Sequence, residues 1–408
     1  MRILNVLAQK PDSTGSGTYL AQLVAAQRAF GHEAAVICGI GPDDVVTTLP
    51  ADVEVRAVRF ETEAVPFPVC GMSDAMPYRA TRYRDLTPAQ CALYEAAFTE
   101  ALDAMDASFR PDVVLCHHLY LLTAIARERL EHRPMGAVCH STDLRQMQTH
   151  GLERERIIAG VRGLDRVFAL HEEQAREVAD VYGVDPARID VVGAGYDCRV
   201  FAPAGEEAPG GAEVGDPRPA RIVFVGKITQ KKGVASLLRA LDAVEAPAGL
   251  EADLIGGSGS EAELAEITAQ VAACRWPVRL QGRRDPAAVA AFNRAADVFV
   301  LPSLFEGLPL VVVEALACGC KVVVTDLPGL RPWLERHIPG APVTYVAMPA
   351  MASIDEAEPA ALPAFEERLA RAIEQAIAAP RVACDASGAS WERVTERIVG
   401  ALAACRAR

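Results

Sequence analysis

Phe305-Glu306-Gly307-Leu308-Pro309-Leu310-Val311-Val312-Val313-Glu314-Ala315-Leu316-Ala317-Cys318-Gly319 decides how this chain is read, because it carries two carboxylates into the start of a helix. Just before it, Asp297-Val298-Phe299-Val300-Leu301-Pro302-Ser303 is a short apolar run closed by Pro and Ser, the pattern of a parallel strand buried on both faces. Pro309 lacks an N–H and suits a first helical turn, while Gly319 suits the position past a helix end. The spacing therefore predicts a helix from Leu310 to Cys318. A strand, loop and helix in that order leave unpaired backbone N–H groups and a partial positive charge at the loop, a seat for phosphate groups. Glu306 lies in the loop and Glu314 farther along the helix. An ionised carboxylate at either place accepts hydrogen bonds from vicinal hydroxyls, a sugar's at Glu306 and a ribose's at Glu314.

The same alternation of apolar run and helical stretch recurs elsewhere in the chain. Arg2–Leu7, Ala34–Cys38, Asp112–Cys116, Gly136–Cys139 and Arg166–Leu170 form one series. Arg221–Val225, Ala252–Ile255, Val278–Gln281, Val298–Leu301 and Val322–Thr325 form a second, with helices such as Val234–Val244 between them. Each series predicts an α/β domain with a parallel sheet wrapped by helices. Residues 203–219, rich in Pro, Gly and acids, cannot bury a core and read as an interdomain connection. The expected layout is a Rossmann-like domain over 1–200, a linker over 201–220, a second such domain over 221–388 and a terminal helical segment over 389–408. Residues 61–86, rich in Pro, Met and Arg, read as a long loop or insertion.

A chain of 408 residues, 51% hydrophobic and 23% charged, can fill two cores. A net charge of −13 argues against nucleic acid and gives no support for docking on anionic lipid. Met1 to Ala8 enters a strand directly, and the most apolar stretch, Leu308 to Val324, is broken by Glu314 and Lys321, so neither a secretory leader nor a membrane span is expected and a cytoplasmic location is. The 11 cysteines contain no C-x-x-C pair, which favours buried thiols over a structural zinc site; Cys318 reads as core.

The Glu-x7-Glu spacing, the Pro302-Ser303 strand end, the Glu306-Gly307-Leu308-Pro309 turn and the exit Glu314-Ala315-Leu316-Ala317-Cys318-Gly319 together resemble the family-4 retaining glycosyltransferases. The resemblance extends over nearly the full chain. It implies a GT-B fold, two doubly wound Rossmann-like domains facing across a cleft. The first would bind the acceptor, the second would bind a nucleotide sugar, and a C-terminal helix would cross back to the first. It also implies donor contacts from Gly307, Leu308 and Leu310 beside the two glutamates.

Gly226-Lys227-Ile228-Thr229-Gln230-Lys231-Lys232-Gly233 places cations at the carboxyl end of a strand. A leaving nucleoside diphosphate gains negative charge as the sugar bond breaks, and fixed ammonium groups stabilise that charge. The resembled pattern has Arg where this chain has Lys227, which keeps the charge and loses the bidentate fork. Lys231 reads as solvated. No Asp-x-Asp occurs, so the expected mechanism uses no metal and no other cofactor.

In Asp12-Ser13-Thr14-Gly15-Ser16-Gly17-Thr18, Gly15 and Gly17 let backbone approach a ligand at a helix start. A dinucleotide-binding reading would need Gly at position 20, which is Leu20. Val138-Cys139-His140-Ser141-Thr142-Asp143-Leu144-Arg145 resembles the family's His-Gly-x-Asp segment, with Ser141 in the glycine's place. His140 is expected to donate to a sugar hydroxyl and Asp143 to orient nearby groups. Of His117 and His118, adjacent on a strand, at most one is expected to reach the cleft, and His118 is the candidate. Arg79, Arg82, Arg84 and Arg145 are candidates for an anionic acceptor, and Arg284, after another strand, for stacking on the base. Gly256, Gly257 and Gly259 read as a turn.

The implied activity is transfer of a hexosyl or N-acetylhexosaminyl group from a nucleotide diphosphate, expected to be UDP, to a small soluble acceptor, with Glu306, His140 and Lys232 as the catalytic set. The acceptor is anionic if the arginines receive it. Expected partners are the nucleotide sugar and the small-molecule acceptor, with no nucleic acid, no integral membrane segment and a homodimer left open. A nucleotide-sugar epimerase or hydrolase, or a non-catalytic nucleotide-sugar-binding protein, are the alternatives.

Overall fold

The computed structural model describes residues 1–73, 76–203, 218–353 and 355–406. The chain divides into two compact units, Met1–Ala194 with Trp391–Arg408, and Gly195–Ser390. Most of the segment read as a linker, 204–217, lies outside the described residues. The division itself falls before residue 200, because Tyr196 and Phe201 are buried in the core of the second unit.

In the first unit the strands are β1 (Arg2–Leu7), β2 (Glu33–Ile40), β3 (Glu54–Arg59), β4 (Cys70–Gly71), β5 (Thr81–Arg82), β6 (Val113–His117), β7 (Met135–Val138), β8 (Arg166–Ala169) and β9 (Ile189–Val191). Seven of them form one sheet in the order β3-β2-β1-β6-β7-β8-β9, paired in parallel throughout. The run Val-Val-Leu-Cys-His of β6 is buried at every position, as expected of a strand covered on both faces. The order reverses between β1 and β6, so their carboxyl ends diverge into loops on opposite sides and leave a crevice. The final helix, Trp391–Arg406, belongs to this unit. Its Trp391 ring meets Tyr19 edge-on at 4.8 Å, Arg397 donates to the Val192 carbonyl at 3.0 Å, and Leu402 lies close against Gly136.

Within the segment read as a long loop, residues 61–73 and 76–86 carry local structure of their own. The short strands β4 and β5 pair in parallel, a 3₁₀ turn covers Tyr83–Asp85, and Val65, Phe67, Val69, Met72 and Tyr83 are buried. Strands β3 and β9 were not read from sequence, because each alternates apolar with charged residues at a sheet edge.

The second unit contains β10 (Ala220–Val225), β11 (Leu250–Ile255), β12 (Val278–Gly282), β13 (Val298–Leu301), β14 (Lys321–Thr325) and β15 (Val343–Val346), again all parallel, in the order β12-β11-β10-β13-β14-β15. Here the reversal falls between β10 and β13. Among the described residues no helix is long and apolar enough to cross a membrane.

Candidate functional site

In the second unit, the loops that follow β10 and β13 leave the sheet at its reversal point, where an open α/β sheet offers a crevice. Glycine lets them approach. A Cβ on Gly256, whose φ is +149°, would stand 1.7 Å from the Gly226 carbonyl oxygen. One on Gly233, at φ +71°, would stand 2.0 Å from that of Pro302. A 3₁₀ turn over Gln230–Lys232 then sets the lysines against the loop after β13, and Leu304 N–H donates to the Lys231 carbonyl at 3.1 Å.

This places Lys232 and Glu306 in direct contact. The ammonium is paired with Oε1 of Glu306, and Ser303 Oγ donates to the same oxygen at 2.8 Å. Among the described residues Oε2 has no partner. Ser303 is fully buried and was not picked out from sequence as a site residue, although it closes the strand in the quoted segment. Lys231, read as solvated, pairs with Asp355 at 2.7 Å. Lys227 is exposed at the end of β10. Arg284 is exposed too, bonded to Gln281 Oε1 at 3.2 Å. It follows β12, two strands and hence about 10 Å from β10, so its position neither joins nor opposes the lysine cluster.

The helix after the turn runs Leu310–Ala317, entered from extended Pro309 without a capping side chain; the Val312 N–H turns back to the Pro309 carbonyl at 3.0 Å, and those of Leu310 and Val311 stay available. Gly307, Leu308 and Leu310 are half-buried around that start. Glu314 is half-buried and, among the described residues, its carboxyl has no hydrogen-bond partner. Burial pushes its carboxyl from the ordinary 4.5 up to about 7. The folded protein therefore holds this proton more tightly than the unfolded chain does, and stability must fall as pH rises through that window. Glu314→Gln removes the penalty. Urea unfolding is expected to find it more stable than wild type by about 3 kcal/mol at pH 8 and by under about 1 kcal/mol at pH 5. An equal difference at both pH values would show that Glu314 titrates normally.

In the first unit, β1 and β6 bring Leu7 opposite His117, and the residues beyond them form a buried polar cluster. His118 Nδ1 lies 2.9 Å from Asp143 Oδ1, and Leu119 N–H donates to Asp143 Oδ2 at 2.7 Å. The His140 backbone N–H is 3.2 Å from both carboxylate oxygens. Burial alone would raise the Asp143 pKa, but the His118 ring and the surrounding donors outweigh it and hold the carboxyl below the ordinary range. Burial carries His140 down to about 3 and His117 down as well, so both rings are neutral near pH 7.

Both adjacent histidines lie beside His140, although neighbours on a strand ordinarily point to opposite sides. His117 Nδ1 is 3.3 Å from His140 Nε2, and the His118 and His140 rings lie 4.7 Å apart. Strand alternation stops at His117, because His118 adopts φ +76° and turns its side chain back.

Thr14 Oγ1 accepts the Gly17 N–H at 3.0 Å and so occupies one donor at the helix start. Gly17 is buried where a Cβ would stand 2.0 Å from the Pro11 carbonyl oxygen, which accounts for its glycine by packing; Gly15 is exposed with open space around it. Arg145 is exposed. Arg79 pairs with Glu61 at 2.8 Å and Arg82 with Asp85 at 2.6 Å. Sequence reading missed Gln9 and Tyr19. Gln9, the first polar residue past β1, is buried beside His118, and the Tyr19 ring stands edge-on to His140 at 5.0 Å.

Residues 13–200 match the family model described as Glycosyltransferase Family 4, and residues 219–353 match that described as Glycosyl transferases group 1. The D-inositol 3-phosphate glycosyltransferase of Segniliparus rotundus is 35% identical over 248 residues, 60% of this chain and 52% of that protein. The alpha-maltose-1-phosphate synthase of Mycobacterium tuberculosis is 32% identical over 226 residues, 53% of this chain and 55% of that protein. The chain thus spans about half the length of the curated relatives it matches. Anabaena HepE in complex with UDP superposes with a TM-score of 0.67 at 14% identity, covering 99% of this chain and 100% of that one. Sucrose-phosphate synthase from Thermosynechococcus elongatus gives 0.63 at 18% identity, covering 98% of each. With one family model on each unit and the GT-B architecture in both sheets, the chain belongs to glycosyltransferase family 4.

Proposed function

We propose that this protein transfers a sugar from a nucleoside diphosphate, with UDP the first candidate, to a small acceptor, with retention at the anomeric carbon. The observation that carries the reading is the contact of Lys232 with Glu306 where the sheet of the second unit reverses, beside an uncapped helix start. Lys227 and Lys232 hold the diphosphate, Glu314 the ribose and Glu306 the sugar hydroxyls. The ammonium groups supply the charge a divalent ion would otherwise supply, so no metal is required. The acceptor attacks from the face the phosphate leaves, and the departing phosphate takes its proton. His140 and the Asp143 cluster are assigned to sugar and acceptor hydroxyls. The curated relatives' names, which include an inositol 3-phosphate glycosyltransferase and a maltose-1-phosphate synthase, favour a phosphorylated partner and support Arg145 as an anion contact.

The test is a screen of uridine, guanosine and adenosine diphosphate sugars with and without chelator, reading released nucleoside diphosphate from wild type and Glu306→Ala. Slow chelator-resistant release from one donor, lost in the variant and accelerated by phosphorylated sugars or polyols, is expected. Fast release needing no acceptor would favour an epimerase or hydrolase. Binding without release would favour a non-catalytic sugar-nucleotide binder.

A further inference from the structure

We propose that Gln9 is a positioning residue: it fixes which nitrogen of His118 carries the proton, and through the His118–Asp143 pair it holds the backbone that presents His140. Gln9 and His118 leave the two central strands of the first unit side by side, Gln9 two residues past Leu7 and His118 one past its register partner His117. Both are buried. Gln9 Nε2 lies 2.8 Å from His118 Nε2 and 3.2 Å from Ser16 Oγ, and Gln9 Oε1 accepts the Met72 backbone N–H at 3.3 Å.

The chemistry of the ends settles the direction of the chain. A backbone N–H only donates, so the amide atom facing Met72 must be the oxygen, and the atom facing His118 is the NH₂ group. One of its protons goes to Ser16 and the other to His118 Nε2, which therefore accepts. From the other side, a carboxylate only accepts, so His118 Nδ1 carries the proton that meets Asp143. Both ends demand the same arrangement. Reversing it would set two donors face to face at Met72 and a ring lone pair against a buried anion at Asp143.

The arrangement has structural consequences. Asp143 is fully buried, and its charge is matched by the His118 Nδ1–H and the N–H groups of Leu119 and His140. Those two N–H groups belong to the turns after β6 and β7, so one carboxylate ties together the residues following adjacent strands. His118 itself sits at φ +76°, a conformation that strains a histidine and persists when its surroundings impose it. Its N–H is held by the Val138 carbonyl, and its own carbonyl by Thr123 Oγ1 at 2.5 Å. The groups facing the ring are thus Gln9 on one side and Asp143 and His140 on the other, with Ser16 behind Gln9 and His117 its chain neighbour.

The part of this proposal that concerns catalysis rests on the transferase reading, while the part that concerns His118 does not. Imidazole nitrogens are read by two-bond proton–nitrogen NMR on the full chain, with His118→Asn used to assign the signal. Wild-type His118 is expected to carry its proton on Nδ1 and not on Nε2 at about pH 7. In Gln9→Glu, of nearly the same shape, the new carboxylate still accepts from Met72 but now also accepts from His118 Nε2, so both nitrogens should be protonated at about pH 7. A wild-type proton on Nε2, or on both nitrogens, would overturn the assignment. For the catalytic part, Gln9→Glu is expected to lower kcat at least about tenfold with the donor KM within about twofold. A shifted His118 spectrum with unchanged kcat would overturn that part. If wild type turns over no donor, the transferase reading fails and the NMR spectrum still decides the proton's place.

Discussion

Replacing Lys232 by alanine is expected to lower kcat for the accepted donor by about 10²- to 10³-fold, with a much smaller change in donor KM. In the bound donor the diphosphate negative charge is spread over two phosphates, and as the anomeric bond breaks it grows on the oxygen that leaves. A cation held near that oxygen is worth more in the transition state than in the ground state, and only that difference accelerates the reaction. Lys232 is held in place by the turn over Gln230–Lys232, by the staple from Leu304 to the Lys231 carbonyl and by its contact with Glu306. Lys231→Ala is the control. That ammonium pairs with Asp355, so its removal should change kcat by less than about threefold. Equal losses in the two variants would mean that the cluster acts only as a diffuse positive field.

Gly233→Ala is expected to cost about 3 kcal/mol of stability and nearly all turnover, although it removes no functional group. At φ +71° an alanine is strained, and its Cβ would stand 2.0 Å from the Pro302 carbonyl oxygen, so one of the two loops must move. Either movement pulls Lys232 away from Glu306. Gly319→Ala separates the two costs, because Gly319 has a similar φ of +84° but open space around it. It should lose about 1 kcal/mol and keep its activity. Thermal unfolding together with the donor assay checks both variants, and a Gly233→Ala protein as active as Gly319→Ala would refute the close approach as the device that aligns the site.

Much of this was legible in the chain, and the reasons are local. The strand Val298–Leu301 and the helix beginning at Leu310 follow from an apolar run, a proline and a glycine at fixed offsets, and the structure has those boundaries within a residue. Lys232 and Glu306 could each be nominated because strand ends in parallel sheets carry function. Their contact could not, since it depends on the β10–β13 adjacency and on the room left by Gly233. Gln9 was invisible for a similar reason. A lone glutamine after a strand has no pattern, and its role appears only when β6 is placed beside β1. His118 escaped the alternation rule because no residue type announces a left-handed histidine. Edge strands such as Ile189–Val191 were missed because they are too short and too mixed to show a period.

The return of Trp391–Arg406 to the first unit bears on how the protein is made. The whole of Gly195–Ser390 interrupts the first unit in sequence, so a ribosome adding about 5–20 residues per second needs about 10–40 s to deliver the last helix after the sheet that receives it is complete. Throughout that interval Tyr19 lacks its Trp391 neighbour and Gly136 its Leu402 cover. The nascent chain thus exposes an apolar face for longer than the second unit takes to be synthesised, and that face is where a chaperone would engage it.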